Sequence, residues 1–241
     1  MRIPSTPIPG PLTQARFQSR PNRFLLKVLL EDTGSQVDAH MADPGRLREL
    51  LLPGKRLWLR PASNPKRKTR WSAVLVESPD GSGLISLDST LPNRLASQAL
   101  RRRSISELSD WGLVRAEVKM GRSRFDFLLA RGETEQLVLE VKSVTLVEDG
   151  IAFFPDAVTE RGARHVSELA EIARQPGWEA AVLFVLQRPD AGEIRAAKRI
   201  DPKFSEALAE AEKAGVKIFG RRCNVFLDRV ELEGAVPVTV T

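Results

Sequence analysis

Residues 137–143, Leu-Val-Leu-Glu-Val-Lys-Ser, set an acid and a base two positions apart in an otherwise apolar run. At strand length, side chains alternate between faces. Glu140 and Lys142 then project one way, and Leu137, Leu139 and Val141 the other. A carboxylate and an ammonium group beside an apolar layer lose hydration, and a bound divalent cation would offset that loss. The preceding run SRFDFLLA (123–130) carries Asp126 between Phe125 and Phe127. Antiparallel pairing of 123–131 with 136–142 would bring Asp126 beside Glu140. Two converging carboxylates repel unless one is protonated or a cation bridges them. Oxygen ligands favour a hard ion, Mg2+ or Mn2+. Such an ion polarises a phosphate and activates water. Lys142 would orient or deprotonate that water, or stabilise the developing negative charge. A competing reading makes 137–143 a solvated edge strand, with a surface ion pair worth ~0–1 kcal/mol.

FFPDAVTERGARHVSEL (153–169) leads from an apolar run into a helix expected over about 156–175. Asp156 is placed to cap it, with Thr159 and Glu160 in its first turn. Arg161 and His165, four residues apart, share a face and could hold a phosphate or a water. The alternative makes Glu160–Arg164 and Arg161–His165 ordinary surface pairs and His165 structural.

Two modules must position these residues. Residues 1–21 read as a Pro-rich lead-in. Strand-length apolar runs follow at 23–31, 35–40, 56–60, 71–77 and 83–88. Thr33-Gly34, Asp43-Pro44-Gly45 and Pro53-Gly54 separate them, and RLRELL (46–51) suggests a short helix. Several short strands in succession read as a small barrel, and a five-stranded OB-type barrel fits. Near residue 88 the pattern changes. A helical stretch at 91–111 precedes three strands within 113–142, the helix at 156–175 and a strand at 180–187. A helix over about 202–214 then stops at Gly215, followed by strand VKIFG. This is an α/β order with a central mixed sheet flanked by helices. The expected domains are 1–86, basic and OB-like, and 87–241, α/β.

The 241 residues are 42% hydrophobic and 28% charged, with a single cysteine, Cys223. One thiol rules out an intramolecular disulfide framework and a Cys-based zinc site, and suits a reducing cytoplasm. No apolar run approaches the ~20 residues of a membrane span. The proline-broken N-terminus is not expected to be a secretory signal. The net charge of +6 is unevenly spread: residues 1–85 hold 14 Lys+Arg against 7 Asp+Glu, and 86–241 hold 23 against 24. Such asymmetry points the first module toward a polyanion, against the plainer reading of a basic surface kept for solubility. Lys66, Arg67, Lys68 and Arg70, on a loop beside Trp71, are the expected phosphate contacts, with Trp71 in the core. Arg122 and Arg124 precede Asp126 and would meet the nucleic-acid backbone near it. Arg161 joins them as a phosphate contact. No P-loop or Gly-x-Gly-x-x-Gly fingerprint is present, and no helix-turn-helix or zinc finger.

The Asp126…Glu140-x-Lys142 arrangement resembles that of the PD-(D/E)xK nucleases. NRFLLKV (22–28), AHMADPGRL (39–47), LPNRLASQAL (91–100), EVKMGRSRFDFLL (117–129), LEVKSVTL (139–146) and FFPDAVTERGARH (153–165) resemble segments of the sugar fermentation stimulation protein A family. That resemblance implies an N-terminal OB-like barrel and a nuclease-like α/β domain. It further implies DNA binding and a link to sugar-utilisation regulation in bacteria. It makes Asp126 and Glu140 the metal pair and Lys142 the base, and gives Glu107 as a further acid of the first helix. Asp43 stands where the family's His-x-x-Asn-x-Gly has Asn, which takes away the donor role of that side chain, because an ionised carboxylate only accepts hydrogen bonds. The expected activity is divalent-metal-dependent phosphodiester hydrolysis on DNA, with RNA as a second substrate. The alternative is a catalytically silent DNA-binding regulator of sugar (maltose) metabolism genes. A weaker third reading is a sugar-binding regulator, since OB barrels also take oligosaccharides. The sequence is compatible with a cytoplasmic homodimer and implies no membrane partner.

Overall fold

The structure is a computed structural model and describes residues 3–240. The first strands are β1 (Ser5–Pro7), β2 (Thr13–Asn22), β3 (Leu25–Leu30), β4 (Gln36–Met41), β5 (Arg56–Pro61), β6 (Trp71–Glu77) and β7 (Leu84–Ser86). Helix α1 (Leu91–Arg101) leads to β8 (Gly112–Met120), β9 (Ser123–Arg131), β10 (Glu135–Val144), β11 (Leu146–Glu148) and β12 (Ile151–Phe154). Then come α2 (Glu160–Ala173), β13 (Trp178–Leu186), β14 (Glu193–Ala196), α3 (Pro202–Lys213), β15 (Lys217–Val225), β16 (Arg229–Val236) and β17 (Val238–Thr239).

β4, β3, β2, β5 and β6 form an antiparallel run that closes through parallel pairing of β4 with β6, Ala39 opposite Trp71. This is the expected five-stranded barrel, with β7 added beside β6. Alternate residues of its strands fill the interior: Ala15 and Phe17, Leu26 and Val28, Leu57 and Leu59. Trp71 is half-buried against that core.

Two readings of this region need correction. Residues 1–21 are not a lead-in, because Thr13–Asn22 is a barrel strand and β1 extends the far sheet by pairing with β16. The alternation of Ala15 and Phe17 with polar residues was the signal, masked by the neighbouring prolines. RLRELL forms one turn and no helix. Leu47 sits at φ 47°, in the left-handed region, and the amides of Leu50 and Leu51 both fold back to its carbonyl.

The second sheet runs β1-β16-β15-β13-β10-β9-β8 and mixes parallel with antiparallel pairs. α2 and α3 cover one face and α1 the other. β10 lies inside, paired with β9 and β13. Leu137, Leu139 and Val141 pack on the α1 side, and Val138 and Val144 on the α2 side. A strand buried on both faces needs an apolar run, as 137–144 supplies. The edge-strand reading of 137–143 is therefore overturned. A smaller sheet, β11-β12-β14-β17, completes the fold.

The helix ends follow their capping residues. Asp201 caps α3 by accepting the Phe204 amide at 3.0 Å, and the chain leaves α3 through Gly215 at φ 93°. α2 is capped by Thr159, whose Oγ1 accepts the Gly162 amide at 3.0 Å. Asp156 does not cap it. Its carboxylate accepts the amide of Arg46, on the barrel, at 2.8 Å.

Candidate active site where two strands part

β9 and β10 stay in register down to Phe127 opposite Leu139. The next amide on that edge of β10, Val141 N–H, is taken by a side chain: Asp126 Oδ2 accepts it at 2.7 Å. Asn93, in the first turn of α1, donates to Asp126 Oδ1 at 2.6 Å. Phe125 packs among the α2-side residues and Phe127 among the α1-side residues. Face alternation thus breaks at Asp126, which sits in the gap between the parting strands. Burial, then the charge of Glu140, raises the Asp126 carboxyl to about 6, against the opposing hydrogen bonds from Val141 and Asn93.

Glu140 projects from β10 toward α2 and is 5% exposed. Its Oε1 accepts Lys142 Nζ at 2.6 Å and pairs with His165 Nδ1 at 2.8 Å. Arg161 Nε meets His165 Nε2 at 3.3 Å. A guanidinium only donates, so Nε2 accepts, and the ring proton lies on Nδ1, facing Glu140. Burial alone would raise the Glu140 carboxyl. The hydrogen bond from His165, with the charge and hydrogen bond of Lys142, outweighs it and holds the group below the usual carboxylate range. Both donors use Oε1, and Oε2 is buried with no hydrogen-bond partner. That free oxygen, on the strand beside Asp126, is what a hard cation requires. No cluster of three or more His, Cys, Asp or Glu disposed to hold an ion occurs among the described residues. Two carboxylates nevertheless suffice for Mg2+, which keeps several waters and takes phosphate oxygens. The residues present fit such an ion.

Comparison with known proteins shows the family of the chain. Residues 90–229 match the family described as "Sugar fermentation stimulation protein RE domain", and residues 19–87 match the "SfsA N-terminal OB domain". The chain belongs to the sugar fermentation stimulation protein family. The homolog from Shouchella clausii is 45% identical over all of both chains. That from Moorella thermoacetica is 44% identical, over 97% of this chain and 98% of its own. The solved structure of Pyrococcus furiosus SfsA in complex with Ca2+ superposes with a TM-score of 0.85 at 28% identity. It covers 96% of this chain and 97% of its own.

In this sugar fermentation stimulation chain, Asp126, Glu140, Lys142, His165 and Arg161 converge as one group. Glu107 does not join them. Arg221 holds its carboxylate, and Ser106 donates to it at 2.8 Å. Arg221 lies opposite Val185, on the α1 side of the sheet, whereas Glu140 lies on the α2 side. The sequence could not show which face the short helical turn at Ser106–Leu108 would occupy. Arg122 and Arg164 line a separate hollow beside α2, and Arg124 pairs with Glu117 at 3.5 Å. Lys66, Arg67, Lys68 and Arg70 sit on the β5–β6 connection of the barrel. Asn93 was missed, because an amide in a helix carries no chemical signature until a partner is known.

A cleft separates barrel and sheet above this group. A cavity of ≈ 240 Å3 is lined by Asp43, Gly45, Lys142, Ser143, Phe154 and Asp156. A Cβ on Gly45 would come closer than 3.0 Å to both Asp43 Oδ1 and Asp156 Oδ2, so only glycine fits this approach of the two modules.

Proposed function

We propose that this protein is a divalent-metal-dependent nuclease that hydrolyses phosphodiester bonds at the Asp126–Glu140–Lys142 group. The carrying observation is the buried, unpartnered Glu140 Oε2 beside a carboxylate raised to about 6 by burial and by Glu140 itself. The Ca2+ complex of the Pyrococcus furiosus relative supports the same reading. Asp126 and Glu140 would hold Mg2+ or Mn2+, which supplies Lewis-acid polarisation of the phosphate and a lowered pKa for water.

The remaining work falls to the chain. Asn93 and the Val141 amide fix the Asp126 carboxylate from two sides. His165, itself held by Arg161, fixes Glu140 so that Oε2 is the free oxygen. Lys142, with its side chain 13% exposed, is the only one of the three directed groups open to the cleft cavity. It orients the attacking water and stabilises the charge that develops on the phosphate. The test is cleavage of single- and double-stranded DNA with Mg2+, Mn2+ or EDTA, on wild type and Lys142→Ala. Metal-dependent cutting absent from the variant supports the assignment, and equal cutting by both sinks it.

The second reading, a silent DNA-binding regulator, draws on the excess positive charge of residues 1–85. It predicts salt-sensitive DNA binding, lost when residues 66–70 are neutralised, with no turnover in any metal.

A further inference from the structure

We infer that the substrate is single-stranded nucleic acid, threaded through the cleft between barrel and sheet and held there by Arg23, Arg46, Arg48 and Phe24. This rests on the nuclease reading for the site at the end of the cleft, and names the substrate class and its path.

The cleft continues outward from the cavity above Lys142. Pro44, Gly45, Phe154 and Asp156 line both that cavity and a wider one of ≈ 650 Å3, whose walls include Arg20, Arg23, Arg46 and Arg48. Arg20 is committed to structure. Its guanidinium donates at 2.7 Å to the carbonyls of both Arg46 and Arg23, which locks the two turns together. Arg23, Arg46 and Arg48 are exposed, and among the described residues none of their side chains has a carboxylate or hydrogen-bond partner. Three unpaired guanidinium groups on one rim match a run of phosphates. The acids at the junction, Asp43 and Asp156, accept the amides of Gly45 and Arg46 and form no ion pair with the three rim guanidinium groups.

An aromatic shelf adjoins the rim. Phe24, next to Arg23, is 49% exposed and stacks on His40, with ring centroids 6.3 Å apart and planes at 8°. An exposed ring beside unpaired cations is how single strands are bound, bases by stacking and phosphates by charge. The path then reaches the basic loop, because Arg67 donates to Ser72 Oγ at 3.0 Å and Ser72 lies opposite His40. At the inner end the space narrows to ≈ 240 Å3. That is below the ~300–1,000 Å3 of sites that enclose small organic ligands. A space of this size suits a single nucleotide unit better than a base-paired step.

The experiment is binding of labelled single-stranded DNA, single-stranded RNA and duplex DNA of one sequence, in EDTA so that nothing is cut. It is run on wild type, Phe24→Ala and the triple variant Arg23→Ala/Arg46→Ala/Arg48→Ala, all at exposed positions. Wild type should bind the single strands more tightly than the duplex. The triple variant should lose about tenfold or more, with a salt slope shallower by about 2, at ~0.7 per phosphate contact. Phe24→Ala should lose about fivefold or more. Tighter binding of the duplex, or variants that bind single strands like wild type, overturns the inference even if Mg2+-dependent cutting is observed. The expected binding pattern without cutting in Mg2+ or Mn2+ keeps the inference and overturns the nuclease reading instead.

Discussion

Asp126 accepts the backbone amide of Val141 at 2.7 Å, at the point where the register between their two strands ends. A carboxylate thus takes a place that a strand carbonyl would otherwise fill. The amide stays satisfied while the strands part, and the opening receives Asp126 beside Glu140. A gap in a sheet would normally leave buried backbone groups unpaired, so the Asp126 carboxylate is also what makes the gap tolerable.

Lys142→Ala should lower metal-dependent cleavage by about 10²–10³-fold, the usual effect of removing one preorganised charge from a transition state. Metal binding should survive, since Asp126 and Glu140 remain. Calorimetric titration with Mn2+ beside the cleavage assay separates the two. A variant that cleaves normally removes Lys142 from the mechanism.

His165→Ala should cost about 10–100-fold in activity or metal affinity, because Glu140 loses one of the two donors that fix its Oε1. In wild type, 15N NMR should find the ring proton on Nδ1, directed at Glu140. A proton on Nε2 contradicts the Arg161–His165–Glu140 arrangement.

Asp43 gives a pH dependence with a defined sign. Burial first, with Asp156 adding to it and the Gly45 amide opposing, raises its carboxyl from an ordinary 3.8 to about 6. Between these values the folded chain holds a proton that the unfolded chain has released, so stability falls as pH rises through this window. Above about 6 the full penalty applies. Asp43→Asn keeps the Oδ1 acceptor for Gly45 and removes the buried charge. It should raise the Tm at pH 8 and leave it nearly unchanged at pH 4. A lower Tm at pH 8 refutes this.

Gly45→Ala should destabilise by about 1–3 kcal/mol, as overpacking does, because Asp43 and Asp156 stand where the methyl group would go. Chemical denaturation reads the loss. Cleavage should fall with it, since the same carboxylates border the cavity over Lys142. An unchanged midpoint means the modules shift apart at little cost.

Glu107→Gln separates the site from its surroundings. Glu107 pairs with Arg221 on the α1 face, and that partnership, after burial is set against it, holds its carboxyl below the usual range. The variant should lower the Tm through a weakened partner for buried Arg221, with kcat unaffected. A loss of kcat at unchanged KM and normal folding would restore Glu107 to the chemistry.

Much of this was legible in the sequence, where a pattern repeats at the period of its element. The barrel strands showed alternation between turn residues, and 137–144 showed the apolar run of an interior strand. The spacing of Glu140 and Lys142 fixed their common face, and pairing of 123–131 with 136–142 put Asp126 near them. The end of helix α3 was marked by Gly215, whose backbone freedom acts locally.

What the sequence left open depended on contacts between distant residues. Asp156 could have capped α2, yet Thr159 does so, because the Arg46 amide from the barrel, 110 positions away, takes the Asp156 carboxylate. The free oxygen of Glu140 exists only because Lys142 and His165 both choose Oε1. Glu107 had the right residue type and ended on the wrong face of the sheet. The sequence by itself determined which residues could do chemistry and which strand would carry them, since composition and period act over a few residues. The tertiary structure alone decided which carboxylates meet, which oxygen stays free and where the cleft runs. Those outcomes depend on desolvation and hydrogen-bond competition, which arise only when separate elements close on one another.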